Sequence, residues 1–316
     1  MPRSSAAPKA KNESDIQMIA KLGQDIKSAI SRDFLGREAA IELALTTILA
    51  DGHLLIEDVP GSGKTSLSAG LAHCLGLGFS RIQCTNDLLP ADVTGLSIYD
   101  RQTGEFVLKR GPVFTQILLA DELNRAPSKT QSALLQAMEE RSVTLDGETL
   151  PLPRPFLVIA TQNPAEQIGT FDLPESQLDR FSASMSIGRP DHDIQLKILN
   201  KQQSDAGPLP VLSDADALGA MQASVRLVSA ERDILDYIIR LADAMEVEGA
   251  INLSVRYRSQ LLRLSQARAG LRGRGYVTPD DVQYVFPASV RHRLGRTDMA
   301  SADQLSAQTL NQVKVP

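Results

Sequence analysis

The stretch HLLIEDVPGSGKTS, residues 53–66, decides the fold. It begins with a short apolar run, residues 54–56, which is typical of a buried strand, and a turn rich in glycine, proline and serine follows. Lys64 and Thr65 then open an apolar segment with helical spacing. A strand, a glycine turn and a helix start in this order predict a phosphate-binding loop.

The predicted loop can bind an anion through its backbone, because glycines let successive N–H groups turn inward and the following helix adds the positive end of its dipole. We expect Lys64 to reach the β- and γ-phosphates of a nucleotide, and the Thr65 hydroxyl to bind Mg²⁺. Asp58 stands where the pattern has glycine, and aspartate tolerates the left-handed backbone that a glycine would supply. The residues expected to hold the nucleotide are Asp58, Val59, Pro60, Gly61, Ser62, Gly63, Lys64, Thr65 and Ser66.

The composition is that of a soluble globular protein: 316 residues, 42% hydrophobic and 22% charged. No apolar run approaches the length of a membrane span, and the first residues lack the apolar core of a secretion signal. The two cysteines and four histidines show no metal-ligand or redox spacing. We therefore expect a cytoplasmic protein with reduced, buried cysteines. The net charge of −5 argues against bulk affinity for nucleic acid.

Two carboxylates follow another apolar run, residues 117–120, as Asp121 and Glu122. Sites in open parallel sheets lie at the carboxyl ends of the strands. Asp121 is therefore expected to hold Mg²⁺, mostly through water, and Glu122 to orient and activate the attacking water. A further strand, 156–161, leads to Asn163, which could hold that water or the γ-phosphate by a hydrogen bond.

The remaining pattern predicts a two-part chain. Further strands are expected at 79–84 and 184–187, and alternating patterns around turns predict β-hairpins at 94–111 and 142–153. Beyond residue 190 the periodicity is helical throughout. The predicted organisation is a disordered tail at 1–14, an α/β core at 15–190, an all-helical domain at 191–296 and a C-terminal tail at 297–316.

With these residues in place, the chain resembles the MoxR family of AAA+ ATPases over about residues 15–295. The resemblance rests on six stretches: 57–65, 110–114, 120–127, 131–141, 159–164 and 173–181. Two of them, ADELNRAP at 120–127 and LPESQLDRF at 173–181, are specific to this family and its close relatives. The resemblance implies a parallel P-loop core with hairpin insertions, a small helical lid, and assembly into a ring, commonly a hexamer.

The resemblance also implies roles for residues outside the loop. Asn163 matches the polar sensor that reads the γ-phosphate. Arg180 matches the arginine finger that is offered to the ATP of the neighbouring subunit. Arg256 matches the lid arginine that contacts phosphate, but Val255 replaces the proline that often precedes it, and Arg258 is a close competitor.

The function that this family implies is an ATP- and Mg²⁺-dependent, chaperone-like remodeller that matures, activates or loads metal into another protein complex. Members often act with a partner that carries a von Willebrand factor A-type domain. Three alternatives stay open at this point. They are an ATPase subunit with a fixed client, such as a magnesium-chelatase motor subunit or an enzyme activator; a nucleic-acid motor, disfavoured by the acidic charge; and a nucleotide-bound scaffold, disfavoured by the presence of both Asp121 and Glu122.

Overall fold

The structure is a computed structural model that describes residues 6–32, 34–163, 169–171, 173–199, 208–249, 251–294 and 299–316. The first five residues of the predicted N-terminal tail lie outside the described residues. The predicted boundary between residues 296 and 297 also lies outside them.

The core is a five-stranded parallel sheet with the strand order β2-β5-β8-β1-β9. Its central strands are continuous apolar runs because both of their faces are covered by helices. The ninth strand begins three residues earlier than the predicted 184–187, because the small residues Ser182, Ala183 and Ser184 are themselves buried. The strands are β1 His53–Glu57, β2 Phe79–Gln83, β3 Gly95–Asp100, β4 Glu105–Arg110, β5 Ile117–Asp121, β6 Ser142–Leu145, β7 Glu148–Pro151, β8 Leu157–Gln162 and β9 Phe181–Met185.

Two antiparallel hairpins project from this core, as predicted. Strands β3 and β4 form one, in which Tyr99 pairs with Phe106 and the two rings meet edge to face at 5.3 Å. Strands β6 and β7 form the other, which turns through the left-handed residues Asp146 and Gly147. The predicted fold class, a parallel α/β core with hairpin insertions and a helical lid, is confirmed.

Helices account for most of the remaining described chain. They are α1 Ala6–Ser31, α2 Glu38–Leu49, α3 Lys64–Cys74, α4 Pro90–Thr94, α5 Ser128–Glu140, α6 Glu175–Leu178, α7 His192–Leu199, α8 Ala215–Val225, α9 Arg232–Gly249, α10 Val255–Leu271, α11 Pro279–Val290 and α12 Met299–Gln312. The cysteines, Cys74 and Cys84, are free and buried.

Both predicted tails contain helix where the sequence suggested none. Helix α1 starts at Ala6 rather than near residue 15, and alanine-rich sequence favours such an extension. Helix α12 occupies much of the predicted C-terminal tail and packs against α9 and α11. It buries small side chains, Ala302, Ser306 and Thr309, which give a weak hydrophobic signal in sequence.

The helical lid covers one edge of the sheet. Helix α11 packs on β9, the edge strand, and the residues that follow α11 bond to its backbone. His292 makes a ring-nitrogen hydrogen bond to the carbonyl of Phe181, and Arg291 donates to that of Ser184. The lid is therefore tied to the strand that Arg180 precedes.

Candidate functional site

The phosphate loop, residues 58–65, connects the carboxyl end of β1 to the start of α3. Gly61 and Gly63 have φ values of 81° and 95°, a left-handed backbone that favours glycine. A Cβ at Gly61 would meet nothing within 4 Å, so a ligand can approach the backbone closely there. Lys64 is buried and donates to the carbonyl oxygens of Asp58, at 2.8 Å, and Val59, at 3.3 Å.

Asp58 fits the loop in a way that the sequence did not indicate. It is not among the residues with positive φ, so the left-handed backbone considered for it is absent. Its carboxylate instead accepts three backbone N–H groups, from Val59 at 2.9 Å, Ile187 at 3.0 Å and Gly188 at 2.9 Å. Asp58 thus fastens the loop to the segment that leaves β9 for the lid.

Asp121 and Glu122 are held together by one hydroxyl at the carboxyl end of β5. Thr161 donates to Asp121 Oδ1 at 2.7 Å and accepts from the Glu122 N–H at 2.8 Å. The other Asp121 oxygen pairs with Arg81 at 2.7 Å, and Glu122 pairs with Arg125 at 3.2 Å. Glu122 itself has a left-handed backbone, with φ 54°, which turns the chain sharply after the strand.

The strand order brings these groups together at the carboxyl ends of the central strands. Strand β8 lies between β1 and β5, so the residue that follows it, Asn163, lies between the phosphate loop and the two acids. Asn163 is 4% exposed. The loop, both carboxylates and Asn163 therefore converge, as the sequence predicted, although their roles stay predictions.

Arg37 is a loop neighbour that the sequence analysis missed. Its guanidinium lies 5.1 Å from the centre of the Phe34 ring and donates to the Ser62 carbonyl. Burial lowers the pKa of Arg37 from its ordinary value, and the charge of Asp58 raises it in part. The signal available in sequence was an arginine directly after the helix break at Gly36, too common a pattern to identify alone.

Residues suited to nucleotide and Mg²⁺ binding are present at the carboxyl ends of the strands. The Ser62 hydroxyl is buried and has no hydrogen-bond partner among the described residues. The Lys64 ammonium bonds only to loop carbonyls in its described contacts, so a phosphate could replace them as acceptor. Hydroxyl and carboxylate oxygens such as those of Thr65 and Asp121 are the ligands that Mg²⁺ prefers.

Arg180 and Arg256 lie at the opposite end of the sheet, where its strands begin. Helix α5 runs back from the carboxyl ends of the strands toward their amino ends. Arg141, the residue after α5, donates to the backbone carbonyls of Asp51 and Phe156, just before β1 and β8 begin. Arg180 immediately precedes β9. A five-residue strand spans about 16 Å, so this group and the phosphate loop are separated by roughly that height of sheet.

Arg180 and Arg256 converge on one carboxylate there. Arg180 donates from Nε and a terminal nitrogen to one oxygen of Glu139, at 3.0 and 2.8 Å. Arg256 donates to the other oxygen at 2.7 Å. Hydrogen bonds from Arg180 and then Arg256 lower the pKa of Glu139. Arg258, the competitor for the lid role, instead pairs with Asp243 and Glu246 within the lid.

These side chains line a cavity of about 420 Å³, here called the arginine pocket, which holds more basic than acidic groups. Its charged lining consists of Arg141, Arg180, Arg256 and Arg263, opposed by Asp51 and Glu139. Asp51 already pairs with Arg141 and Arg226. The pocket is therefore suited to a multiply charged anion.

A partly buried network of hydrogen bonds fixes the two sides of the arginine pocket to each other. Arg293, 7% exposed, pairs with the Asp179 carboxylate at 3.0 Å. Ser254 donates to the same carboxylate at 3.3 Å, and it also caps the N-terminus of α10 by accepting from Tyr257. Arg180 and Arg256 consequently sit on elements that share one anchor, Asp179.

Two negative findings apply to the described part of the chain. Within it, no helix is long and apolar enough to cross a membrane. The same residues contain no group of three or more histidine, cysteine, aspartate and glutamate side chains arranged to hold a metal ion.

Comparison with known proteins agrees with this architecture. The family described as "ATPase family associated with various cellular activities (AAA)" matches residues 53–183, and an AAA lid domain matches residues 243–312. Protein YeaC of Bacillus subtilis, which is uncharacterised, is 42% identical over 91% of this chain and 92% of its own. Chaperone MoxR1 of Mycobacterium tuberculosis is 38% identical over 88% of this chain and 77% of its own.

A solved structure shows the same fold. The crystal structure of a candidate ATPase from Cytophaga hutchinsonii superposes with a TM-score of 0.87 at 32% sequence identity. The match covers 98% of this chain and 99% of that one. Core, hairpins and lid therefore form an arrangement that is shared along the whole chain.

Proposed function

The chain belongs to the MoxR family of AAA+ ATPases and hydrolyses ATP, and from that premise we propose that it works as a ring in which each subunit completes the catalytic site of the next. One observation carries the proposal. The phosphate loop lies at the carboxyl ends of the sheet's strands, and the arginine pocket lies at their amino ends. One chain cannot bring both to a single triphosphate, whereas the head-to-tail contact of two copies can.

Such a contact is heterologous, because the two copies use different surfaces. Heterologous contacts close into rings when the rotation between copies allows it. The family commonly forms hexamers, which is the ring size proposed here. The lid helix α10 supplies part of the arginine pocket, so lid and core of one subunit would both face the neighbour's nucleotide.

Each residue then has a chemical task within the proposed site. Lys64 and the loop N–H groups bind the phosphates, while Thr65 and Asp121 hold Mg²⁺, which neutralises charge on the phosphate oxygens. Glu122 orients the attacking water and takes up its proton, and Asn163 fixes that water or the γ-phosphate.

Arg180 and Arg256 of the adjacent copy stabilise the charge that develops as the γ-phosphoryl group transfers. Arginine fingers are worth about 10³-fold or more in rate. In this arrangement Arg256 does not contact the ATP of its own subunit. It bonds to Glu139 at the amino ends of the strands, far from its own phosphate loop.

Glu122 and Lys64 both have partners within their own chain. Glu122 is paired with Arg125, and the Lys64 ammonium bonds to loop carbonyls. Both side chains have to exchange these partners before they can act on ATP and water. Turnover would therefore require that the bound nucleotide and the attacking water replace these partners.

We further propose that this ATPase cycle drives a chaperone-like remodelling of another protein complex, maturing it, activating it or loading it with metal. The support is the similarity to chaperone MoxR1. A partner with a von Willebrand factor A-type domain fits the family pattern. Affinity capture with the Glu122→Gln protein and ATP would retain such a client, whereas capture with Lys64→Ala would not.

Ring formation itself is tested by light scattering of the Glu122→Gln protein. With ATP and Mg²⁺ it should elute as one discrete oligomer of closed size. A Glu122→Gln protein that binds ATP yet stays monomeric at micromolar concentration would contradict the ring.

A further inference from the structure

Glu139 lies where two of the four arginines of the arginine pocket, Arg180 and Arg256, meet, and no role in nucleotide chemistry has been assigned to it so far. It is the penultimate residue of α5, and its side chain is 39% exposed. Each of its oxygens accepts from a different guanidinium: one from Arg180 and the other from Arg256. A single carboxylate thus joins the start of β9 to the lid helix α10.

The contacts leave both arginines able to bind a phosphate. A guanidinium carries five N–H donors. Arg180 uses Nε and one terminal nitrogen on Glu139, and Arg256 uses one terminal nitrogen. The remaining donors of each group are not engaged by Glu139. The carboxylate therefore holds the two cations side by side without consuming them.

Without a negative group between them, two guanidiniums at this spacing repel each other. Arginine also has many rotamers, and holding it in one of them costs conformational entropy. Glu139 counters both effects, because it is anchored on α5, a helix whose buried face belongs to the same apolar cluster as side chains of β5 and β8. Preorganised charge of this kind is most effective in stabilising a transition state.

We propose that Glu139 is a positioning residue that holds Arg180 and Arg256 as a two-cation clamp for the γ-phosphate bound by the neighbouring copy. This inference rests on the proposed function, since it requires that the arginines act across the contact between subunits. Glu139 does not touch the nucleotide itself; it acts through the two arginines.

The test uses Glu139→Gln, which keeps the shape of the side chain but offers only one acceptor oxygen and turns an NH₂ group toward the second guanidinium. The matched control is Glu140→Gln. Glu140 is the next residue, carries the same charge, is also exposed, and accepts from Gln136 of its own helix. Any general effect of removing one negative charge from α5 appears in both variants.

For Glu139→Gln we expect kcat to fall about tenfold or more, a smaller loss than the roughly 10²–10³-fold that follows removal of a donor in direct contact with the transition state, with KM for ATP and the melting temperature little changed. Glu140→Gln should match the wild type. Mixing Glu139→Gln with Lys64→Ala subunits should restore part of the activity, because the Lys64→Ala copies supply an intact clamp to their neighbours. A residue needed only for folding or within its own subunit's site would show no such rescue.

The outcomes separate this inference from the proposal beneath it. If Arg180→Ala is rescued by Lys64→Ala but Glu139→Gln turns over ATP within twofold of the wild type, or faster, then the clamp idea is wrong while the shared site stands. If Glu139→Gln is slow but is not rescued at any mixing ratio, the trans role of Glu139 is overturned. If Arg180→Ala is not rescued either, the shared site itself fails.

Discussion

Lys64 and Arg180 lie beyond opposite ends of two neighbouring strands of one parallel sheet, β1 and β9. Lys64 follows the carboxyl end of β1, and Arg180 precedes the amino end of β9, which pairs directly with β1. The length of one strand, about 16 Å, separates two groups that the proposed mechanism places at the same phosphate. The proposed ring resolves this separation.

Replacing Lys64 with alanine should abolish measurable ATP binding. The side chain provides charge-assisted hydrogen bonds at the phosphate loop, each worth about 1.5–3 kcal/mol, so two of them correspond to a loss of roughly 100-fold or more in affinity. Isothermal titration calorimetry measures this directly. The control is Lys21→Ala, an exposed lysine on α1 that should bind ATP normally. Retained affinity in the Lys64 variant would remove the loop from the site.

Glu122→Gln should bind ATP but release phosphate at least about 100-fold more slowly, because the amide cannot accept a proton from water. Single-turnover measurements with the assembled protein separate binding from chemistry. Glu248→Gln, an exposed position on α9, serves as the charge-matched control. Normal phosphate release from the Glu122 variant would mean that another group activates the water.

Asp58→Ala should lower the free energy of unfolding by about 1–3 kcal/mol, because three backbone N–H groups lose a charged acceptor. The loss should extend to the lid, since two of those N–H groups belong to the segment after β9. Hydrogen exchange at Ile187 and Gly188 should rise with it. Asp87→Ala, an exposed surface carboxylate, should change neither measurement. Unchanged exchange at both amides would show that the loop and the lid junction are independent.

The stability of the fold should decrease as the pH falls below about 6.5, the ordinary histidine pKa. Burial, then the charge of Arg141, lowers the pKa of His53 to about 3, and burial together with Arg293 lowers that of His292. Both histidines stay neutral in the folded chain while the unfolded chain takes up protons, so stability is complete above pH 6.5 and is lost below it. At pH 5 His53 should account for about 2 kcal/mol of that loss, and His292 should add to it in the same direction.

Urea unfolding at pH 7 and pH 5 tests this titration. His53→Asn should lose less stability between the two pH values than the wild type does, whatever its absolute stability. The comparison cancels the contributions of other titrating groups, which the two proteins share. An equal loss in both proteins would mean that His53 is protonated in the folded state.

The half of the site at the carboxyl ends of the strands was predictable because its sequence signals are local. The strand, turn and helix around Lys64 occupy one continuous stretch, and the acids Asp121 and Glu122 directly end an apolar run. Hydrophobic periodicity gave the parallel core and both hairpins for the same reason. The family resemblance added Arg180 and Arg256 and gave Asn163 the role of a sensor, and the similarity to chaperone MoxR1 confirms that family.

The half of the site at the amino ends of the strands could not be derived from the local sequence pattern. Glu139 meets Arg180 and Arg256 only because α5 runs back along the sheet and the lid packs on β9, relationships that depend on tertiary packing. The partners of the acids, Arg81 and Arg125, have the same origin. Helix α12 was missed for a different reason, since a helix that packs through alanine, serine and threonine has little hydrophobic contrast.

The most direct test of the shared site is a mixing experiment with two variants that are inactive for different reasons. Lys64→Ala subunits cannot bind ATP but carry intact arginines, and Arg180→Ala subunits bind ATP but offer no finger. In randomly mixed rings at equal ratio, roughly a quarter of the subunit contacts pair an intact loop with an intact arginine. ATPase activity should therefore recover toward a quarter of the wild-type rate, and no recovery at any ratio would contradict a site built from two copies of the chain.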